Sequence, residues 1–350
     1  MPSRFALLFL TFLSALVGCY IAAAAIVNPR LDFGGRLLFP PLVRDSRQEK
    51  MDLFERFNGQ RPVDGVILGS SRSMLLAPAD LESLTGKRVF NFSVDSARAE
   101  DYLAIFDWVR SHGARLNVLL LGLDVEALHD NDQWDLRLKR NVDLMRELEK
   151  QQQGTYEELQ LVRRRFMSAF TMSYVYDMVN VVSMAAHPPP QPVSRANTFD
   201  EAGLLHYVFL DQSLAAGTFD RDKQIVGSQE EYLGRFIGMT TLSKRRKEYI
   251  ETLLKNAKDH GIAVALWITP IHQTLADYLG RKTQYSRLLM ETRVYAAELR
   301  RRYDILVFDF SEPRFFGAID SGWYDGAHMD TRNAALITKK VAVGLLKHGL

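Results

Sequence analysis

Five runs of apolar and β-branched residues recur along this chain of 350 residues, and segments with helical periodicity separate or follow several of them. The runs are Val63–Leu68, Arg88–Val94, Asn117–Leu123, Ile262–Thr269 and Ile305–Phe310. Alternation of strands with helices favours a parallel sheet that helices cover on both faces. The nearly continuous apolar stretch Val118–Leu121 is typical of a strand buried on both faces. The sequence therefore predicts an α/β fold, a three-layer sandwich with a five-stranded parallel sheet.

Helical periodicity is clearest in four segments, in which apolar residues return to one face of the predicted helix. These segments are Ala97–His112, Leu242–His260, Ser286–Arg302 and a last one from Thr331 to Lys347. In the first of them, Tyr102, Ile105 and Phe106 share a face. Thr331 is a suitable N-cap for the last helix, because its hydroxyl can accept a backbone N–H.

The stretch 129–234 interrupts this alternation. Val142–Lys150 and Tyr156–Met184 have helical character. They are followed by His187–Pro192, in which the prolines make a stiff extended segment. We expect an insertion between the third and fourth strands, which forms a cap or a surface for a partner.

Residues Phe5–Val27 carry no charge. At 1.5 Å per residue, a helix of that length covers the roughly 30 Å apolar core of a bilayer. A cleaved signal peptide usually has a shorter apolar region, of about 7–15 residues. We therefore predict an uncleaved membrane anchor in residues 1–28. One alternative is a lipoprotein acylated on Cys19, because Leu16–Cys19 is similar to a lipobox, and another is a buried helix of a soluble protein.

Pro29 stops the anchor helix, and residues 29–60 are predicted to form a linker with one short helix, Ser46–Phe57. The remaining residues, 61–350, are predicted to form one domain that carries the insertion.

A formal net charge of +2 argues against nucleic acid as the main partner. Cys19 is the only cysteine, so the chain can form no intramolecular disulfide.

Two short segments carry the residues of a possible catalytic site. Gly69–Ser73 follows the first predicted strand, and Trp323–His328 forms a predicted loop near the C-terminus. A serine hydroxyl is a poor nucleophile at neutral pH and needs a base. A histidine can be that base, and a carboxylate on its other ring nitrogen fixes its tautomer. Ser71, His328 and Asp325 would supply these three parts.

The two segments resemble the blocks of the SGNH (GDSL-like) hydrolase superfamily, over roughly Val63 to the C-terminus. The resemblance implies a flavodoxin-like sheet, with Ser71 as the nucleophile and Asp325 and His328 completing the triad. Ser70 stands where the family usually has Asp. Gly69–Arg72 behind a membrane anchor looks most like the envelope branch of the superfamily, which includes proteins of alginate O-acetylation and of teichoic-acid D-alanylation.

Several residues depart from the family pattern. Asn91, Ser93 and Ser96 occupy the second block, and the resemblance implies that Asn91 and Ser96 belong to the oxyanion or substrate site. Ser96 replaces a glycine whose backbone N–H usually serves the oxyanion hole. Asp124 stands where the third block usually has an Asn donor, and an ionised Asp can only accept hydrogen bonds. Next to a developing oxyanion its charge would be repulsive. We therefore expect either that Asp124 points elsewhere and pairs with Arg72, or that the oxyanion hole is built differently.

Two other polar sets are candidates for ligand contacts. His272 follows the fourth predicted strand and is either a substrate contact or an ordinary loop histidine. Asp325, His328 and Asp330 could in principle ligate a metal, but this set specifies no metal clearly. We expect neither a metal nor a cofactor.

Together, the residues and the resemblance predict a serine esterase or O-acyltransferase at the cell envelope. It would be a single-pass protein of the inner membrane. The flanking charges do not indicate an exported domain, and the resemblance alone implies that the C-terminal domain lies in the periplasm or outside. Its expected partners are an acylated polysaccharide or another envelope ester, the membrane, and a membrane-bound acyltransferase. The alternative is a catalytically silent assembly or polysaccharide-binding protein, which the departures at Asp124, Ser93 and Ser96 favour.

Overall fold

A five-stranded parallel sheet forms the centre of the protein, which confirms the predicted fold class. The computed structural model describes residues 4–29, 38–39, 45–131, 134–151, 167, 169–186 and 197–349. The strands of the sheet are β1 (Gly65–Leu68), β2 (Val89–Asn91), β3 (Val118–Leu123), β6 (Ala263–Ile268) and β7 (Leu306–Asp309). Their order is β2-β1-β3-β6-β7, and every pair is parallel. Each of the five predicted runs contains one of these strands.

Fourteen α-helices lie in the described part of the chain. They are α1 (Arg4–Val27), α2 (Ser46–Gln60), α3 (Pro78–Thr85), α4 (Ala99–Ser111), α5 (Leu136–Arg140), α6 (Val142–Gln151), α7 (Met172–Ala186), α8 (Val208–Ala215), α9 (Arg221–Phe236), α10 (Lys244–Asp259), α11 (Gln273–Lys282), α12 (Tyr285–Tyr303), α13 (Pro313–Phe316) and α14 (Thr331–Lys347). Successive side chains of a strand point to opposite faces of its sheet, so each face needs its own cover. Leu119 and Leu121 of β3 pack in the core formed with α2, α4, α10 and α12. Val118 and Leu120 pack on the other face, with α3 and α14.

The start of the last helix differs from the prediction by one residue. Asp330, not Thr331, is the N-cap of α14, and its Oδ1 accepts the backbone N–H groups of Arg332 at 2.9 Å and of Asn333 at 3.4 Å. A carboxylate accepts two such bonds readily and also interacts favourably with the helix dipole. Asp330 is thus part of the helix cap.

The chain between β3 and β6 contains helices, as expected, and also a hairpin that the sequence did not predict. Strands β4 (Thr198–Phe199) and β5 (Leu205–His206) are only two residues long, too short to leave a periodic pattern. The hairpin attaches to the domain through its backbone: Ala202 accepts the N–H of Asn91 at 2.9 Å, and Leu205 donates to Met74 at 3.1 Å. The predicted proline-rich segment, 187–192, lies outside the described residues.

Helix α1 is long and apolar enough to cross a membrane. Most of its side chains are exposed, and its contacts with the rest of the described chain lie near its C-terminal end. Ala24 is buried there in a small cluster with Ala169 and Tyr174. Helix α1 is the single continuous helix that the sequence predicts in this region.

Candidate active site

Ser71 lies at the C-terminal end of β1, at the first position of a 3₁₀ turn, Ser71–Ser73. The hydroxyl of Ser70 caps this turn by accepting the N–H of Arg72 at 3.2 Å. Gly69 leaves room for the tight turn, because a Cβ at this position would lie 2.5 Å from the Ser73 hydroxyl oxygen. The local sequence therefore holds Ser71 at the edge of the sheet, where parallel α/β proteins bind ligands.

The loop before α14 is closed by the carboxylate of Asp325. Its Oδ1 accepts the backbone N–H of Ala327 at 2.7 Å and that of His328 at 2.8 Å. Its Oδ2 lies 2.8 Å from Nδ1 of His328. Two neighbours support the loop from outside, since Ser228 accepts the N–H of Gly326 and the same glycine's carbonyl accepts the N–H of His272.

The structure brings the two segments together. Ser71 Oγ lies 2.9 Å from His328 Nε2, although the two residues are 257 positions apart in sequence. If His328 donates its Nδ1–H to Asp325, then Nε2 is free to accept the Ser71 hydroxyl proton. Burial by itself raises the pKa of Asp325, but the neighbouring His328 and the hydrogen bonds to the carboxylate outweigh it and hold this pKa below its usual value. The arrangement is that of a nucleophile, a base and an orienting carboxylate.

A crevice of about 400 Å³ opens beside Ser71. Ser96 also lines it, on the chain that follows β2. The backbone N–H groups of Ser71 and Ser96 find no acceptor among the described residues. A larger, apolar groove of about 630 Å³ lies near β7 and contains none of the predicted site residues.

Ser96 has a positive φ of 50°, in the left-handed region that favours glycine. The family resemblance expects a glycine here, with a backbone N–H that points toward the nucleophile. The backbone therefore has a conformation that suits glycine even though the residue is serine.

Arg72 is buried under the crevice and pairs mainly with Glu126, a residue that the sequence analysis did not identify. Its Nη1 and Nη2 donate to the two Glu126 oxygens at 3.1 Å and 2.5 Å. The expected contact with Asp124 is present but longer, with 3.8 Å between Nη1 and Oδ1. The 3₁₀ turn Val125–Leu128, directly after β3, places Glu126 here. The one signal for Glu126 in the sequence is that a second acidic residue follows two positions after Asp124.

Asp124 lines the crevice, but its carboxylate is engaged by hydroxyl groups. Thr269 donates to Oδ1 at 2.5 Å, and the Ser70 side chain is a further hydrogen-bond partner. Burial raises the pKa of Asp124 above its usual value, and the attraction of Arg72 offsets only part of this effect. The side chain thus accepts hydrogen bonds, where the resemblance expects an Asn donor.

Family membership follows from a comparison with family models. A model described as a protein of unknown function (DUF1574) matches residues 52–332, which is most of the chain. The chain belongs to the DUF1574 family. No curated protein matches it. The crystal structure of a proposed acylhydrolase from Bacteroides fragilis is 9% identical in sequence to this DUF1574 chain, with a TM-score of 0.38 over 86% of this chain and 94% of that one.

Two residues assigned to the substrate site from sequence have other positions in the DUF1574 chain. Asn91 is fully buried, and its amide donates to the carbonyls of Ser73 and Leu76 at 2.9 and 3.0 Å. It holds the turn that carries the nucleophile and does not line the crevice. His272 caps α11 by accepting the N–H of Thr274 on its Nδ1 at 3.2 Å, and burial lowers its pKa. Its role is to support the neighbouring loop.

The wall of the crevice opposite Ser71 comes from α9, inside the predicted insertion. Tyr232 and Arg235 line the crevice, and the Arg72 guanidinium lies 5.3 Å from the Tyr232 ring centre. Burial raises the pKa of Tyr232 to about 12, despite the opposing effect of both arginines. No local motif marks these residues, because their position depends on how the insertion folds back onto the sheet of the DUF1574 chain.

Proposed function

We propose that this chain is a membrane-anchored serine esterase or O-acyltransferase of the SGNH type, which acts on acyl esters of the cell envelope or of an exopolysaccharide. The observation that carries the proposal is the continuous contact from Ser71 through His328 to Asp325, at 2.9 and 2.8 Å. A hydroxyl, an imidazole and a carboxylate in this order are the parts needed to form an acyl-enzyme.

In the proposed reaction, Ser71 Oγ attacks the ester carbonyl while its proton passes to Nε2 of His328. Asp325 keeps the imidazole in the required tautomer and stabilises its positive charge. Collapse of the tetrahedral intermediate breaks the bond to the alcohol, which takes the proton from His328 and leaves an acyl-Ser71 ester. Water then releases the acid, or a sugar hydroxyl accepts the acyl group, with His328 again acting as base and then as acid.

The developing oxyanion would be stabilised by the backbone N–H groups of Ser71 and Ser96. Both are without an acceptor in the described part of the protein, and both residues line the same crevice. Removing one such donor costs about 3–4 kcal/mol of transition-state stabilisation in related chemistry. Arg72 contributes positive charge beneath this position and compensates the nearby carboxylate of Asp124.

A polar substrate suits this crevice. Besides the serines, its lining includes four arginines and several acidic or amide side chains. Groups of this kind can bind sugar hydroxyls or a charged sugar through hydrogen bonds. We therefore favour an acylated polysaccharide over an apolar ester. In this proposal the domain lies outside the cytoplasm, and a membrane-bound acyltransferase is the partner that supplies or receives acyl groups.

The experiment that tests the proposal is labelling of the full-length protein in detergent with a fluorophosphonate probe, which reacts with activated serines. We expect one label on Ser71, found by peptide mass spectrometry, and none in Ser71→Ala. Ser73→Ala is the matched control, because Ser73 belongs to the same turn but is buried and outside the crevice. It should label like the unchanged protein.

The rival function is that of a catalytically silent protein that binds polysaccharide or assembles an acylation system through the same crevice. The buried carboxylate of Asp124, in the place of a hydrogen-bond donor, is the observation that favours it. Absence of labelling on Ser71, together with retained binding of an acylated oligosaccharide, would support this rival and exclude the esterase.

A further inference from the structure

Helix α7 exposes a continuous apolar stripe. Met172, Tyr176, Val179 and Val182 are 83%, 67%, 60% and 43% exposed. Their spacing of three or four residues places them on one face of the helix. Asp177 is the only charged residue in its 15 positions. An apolar stripe of this length, on a helix with a single charged residue, is uncommon on a surface that only contacts water.

The opposite face of α7 is attached to the end of the candidate membrane helix α1. Tyr174 is buried with Ala24 of α1 and with Ala169, which lies just before α7. The Tyr20 ring of α1 lies 5.2 Å from the Phe170 ring, and the Tyr20 hydroxyl donates to the Ala169 carbonyl. Helix α7 is therefore fixed to the last two turns of α1 by both apolar and polar contacts.

We propose that α7 is a second membrane-contacting element, which lies in the interfacial layer of the bilayer with its stripe toward the lipid. This inference rests on the proposed membrane anchoring through α1. The 24 residues of α1 are about 36 Å long, whereas the apolar core of a bilayer is about 30 Å thick. The excess of about 6 Å corresponds to the last turn of α1, Ala24–Val27, which thus reaches the headgroup region. Helix α7 is attached to α1 at Ala24 and, one turn earlier, at Tyr20.

The composition of the stripe suits this position. Tyrosine is enriched where the apolar core meets the headgroups, and Tyr20 and Tyr176 lie on the two helices concerned. A helix that lies in the interface buries its apolar face about 5–10 Å into the boundary of the acyl chains. The bilayer is favoured over a protein partner because α7 packs against a helix that would itself be surrounded by lipid.

The test uses the full-length protein in lipid nanodiscs, with a fluorophore on one cysteine at a time and spin-labelled phosphatidylcholine as the quencher. Cys19 in α1 is the native site, and it is exposed. In a Cys19→Ser background, Val179→Cys reports on the stripe. Leu346→Cys is the matched control, since Leu346 is an apolar residue that is 49% exposed on α14.

We expect the spin-labelled lipid to quench the fluorophores at Cys19 and at Val179→Cys, and to leave the one at Leu346→Cys unquenched. Quenching at Cys19 alone would overturn the inference for α7 and leave the anchor intact. No quenching at Cys19 or at Val179→Cys would overturn both the inference for α7 and the proposed membrane anchoring through α1. A disulfide-linked dimer through Val179→Cys without quenching would show that a second copy covers the stripe, which also overturns the inference.

Discussion

The Arg72 guanidinium is held by Glu126 through two hydrogen bonds, at 3.1 and 2.5 Å, whereas the nearest oxygen of Asp124 is 3.8 Å away. The position of the Arg72 guanidinium therefore depends on a residue outside every recognised block. Replacing Asp124 by Asn would not release Arg72, because Glu126 would still hold it in place beneath the crevice.

The first prediction concerns this ion pair. Glu126→Gln should lower the free energy of unfolding by about 3 kcal/mol, because it removes the negative charge that pairs with the buried Arg72 and leaves Asp124, at 3.8 Å, as the nearest carboxylate. Urea denaturation of the full-length protein in detergent would measure the change. The matched control is Glu231→Gln, which breaks an exposed pair with Arg235 and should cost less than about 1 kcal/mol. Equal losses of unfolding free energy in Glu126→Gln and Glu231→Gln would contradict the assignment of Glu126 as the main partner of Arg72.

The second prediction is a pH dependence of stability that comes from Asp124. The pKa of this carboxyl is raised by burial in the folded protein, above the value of about 3.9 expected when unfolded. The folded state thus binds the proton more tightly, and the contribution of Asp124 to stability falls as the pH rises through the folded pKa. The advantage of Asp124→Asn over the unchanged protein should therefore be larger at pH 8 than at pH 4.5.

Asp325→Asn provides the comparison with the opposite sign. The lowered pKa of Asp325 means that its contribution to stability is fully present above about pH 4 and is lost only at lower pH, through its folded pKa. As the pH falls below about 4, the destabilisation caused by Asp325→Asn should therefore become smaller, whereas the effect of Asp124→Asn changes at higher pH. Parallel pH curves for the two variants would refute the environments assigned to both carboxyls.

The third prediction tests the orienting carboxylate. Asp325→Asn should lower kcat by about 10³- to 10⁴-fold, because an amide at this position no longer fixes the required tautomer of His328. Hydrolysis of a p-nitrophenyl ester would measure this loss. Asp320→Asn changes an exposed aspartate five residues earlier in the chain and should keep full activity. A loss of less than tenfold in Asp325→Asn would remove Asp325 from the proposed mechanism.

The fourth prediction concerns the backbone at Ser96. With φ at 50°, Ser96→Gly should change stability by less than about 1 kcal/mol and keep the oxyanion N–H and the activity. Ser96→Val should destabilise by more than about 1 kcal/mol, since a β-branched residue fits the left-handed region poorly. Urea denaturation and esterase assays of both variants would check this. Similar stabilities for the glycine and valine variants would show that the conformation at this position is different.

The sheet could be predicted because β1, β2 and β3 are buried along their whole length, β6 nearly so, and these strands leave continuous apolar runs. The β4–β5 hairpin could not, because two-residue strands leave no period, and its attachment to Asn91 depends on contacts between distant segments. The positions of Ser71, Asp325 and His328 could be predicted, because Ser71 follows the end of a strand and the other two residues lie in one local loop. Whether Asn91 and His272 faced the crevice depended on side-chain direction, which a motif alone does not specify.

The Asp325 carboxylate binds two backbone N–H groups and an imidazole of its own four-residue segment. His328 and the carboxylate that binds it thus move together, as a preassembled pair. Among the described residues, a single hydrogen bond, between Ser71 and His328, joins that pair to the proposed nucleophile. Small displacements of the loop would consequently change the reach of the base without disturbing its tautomer, so an effector that shifted the loop could regulate the rate while leaving the chemistry unchanged.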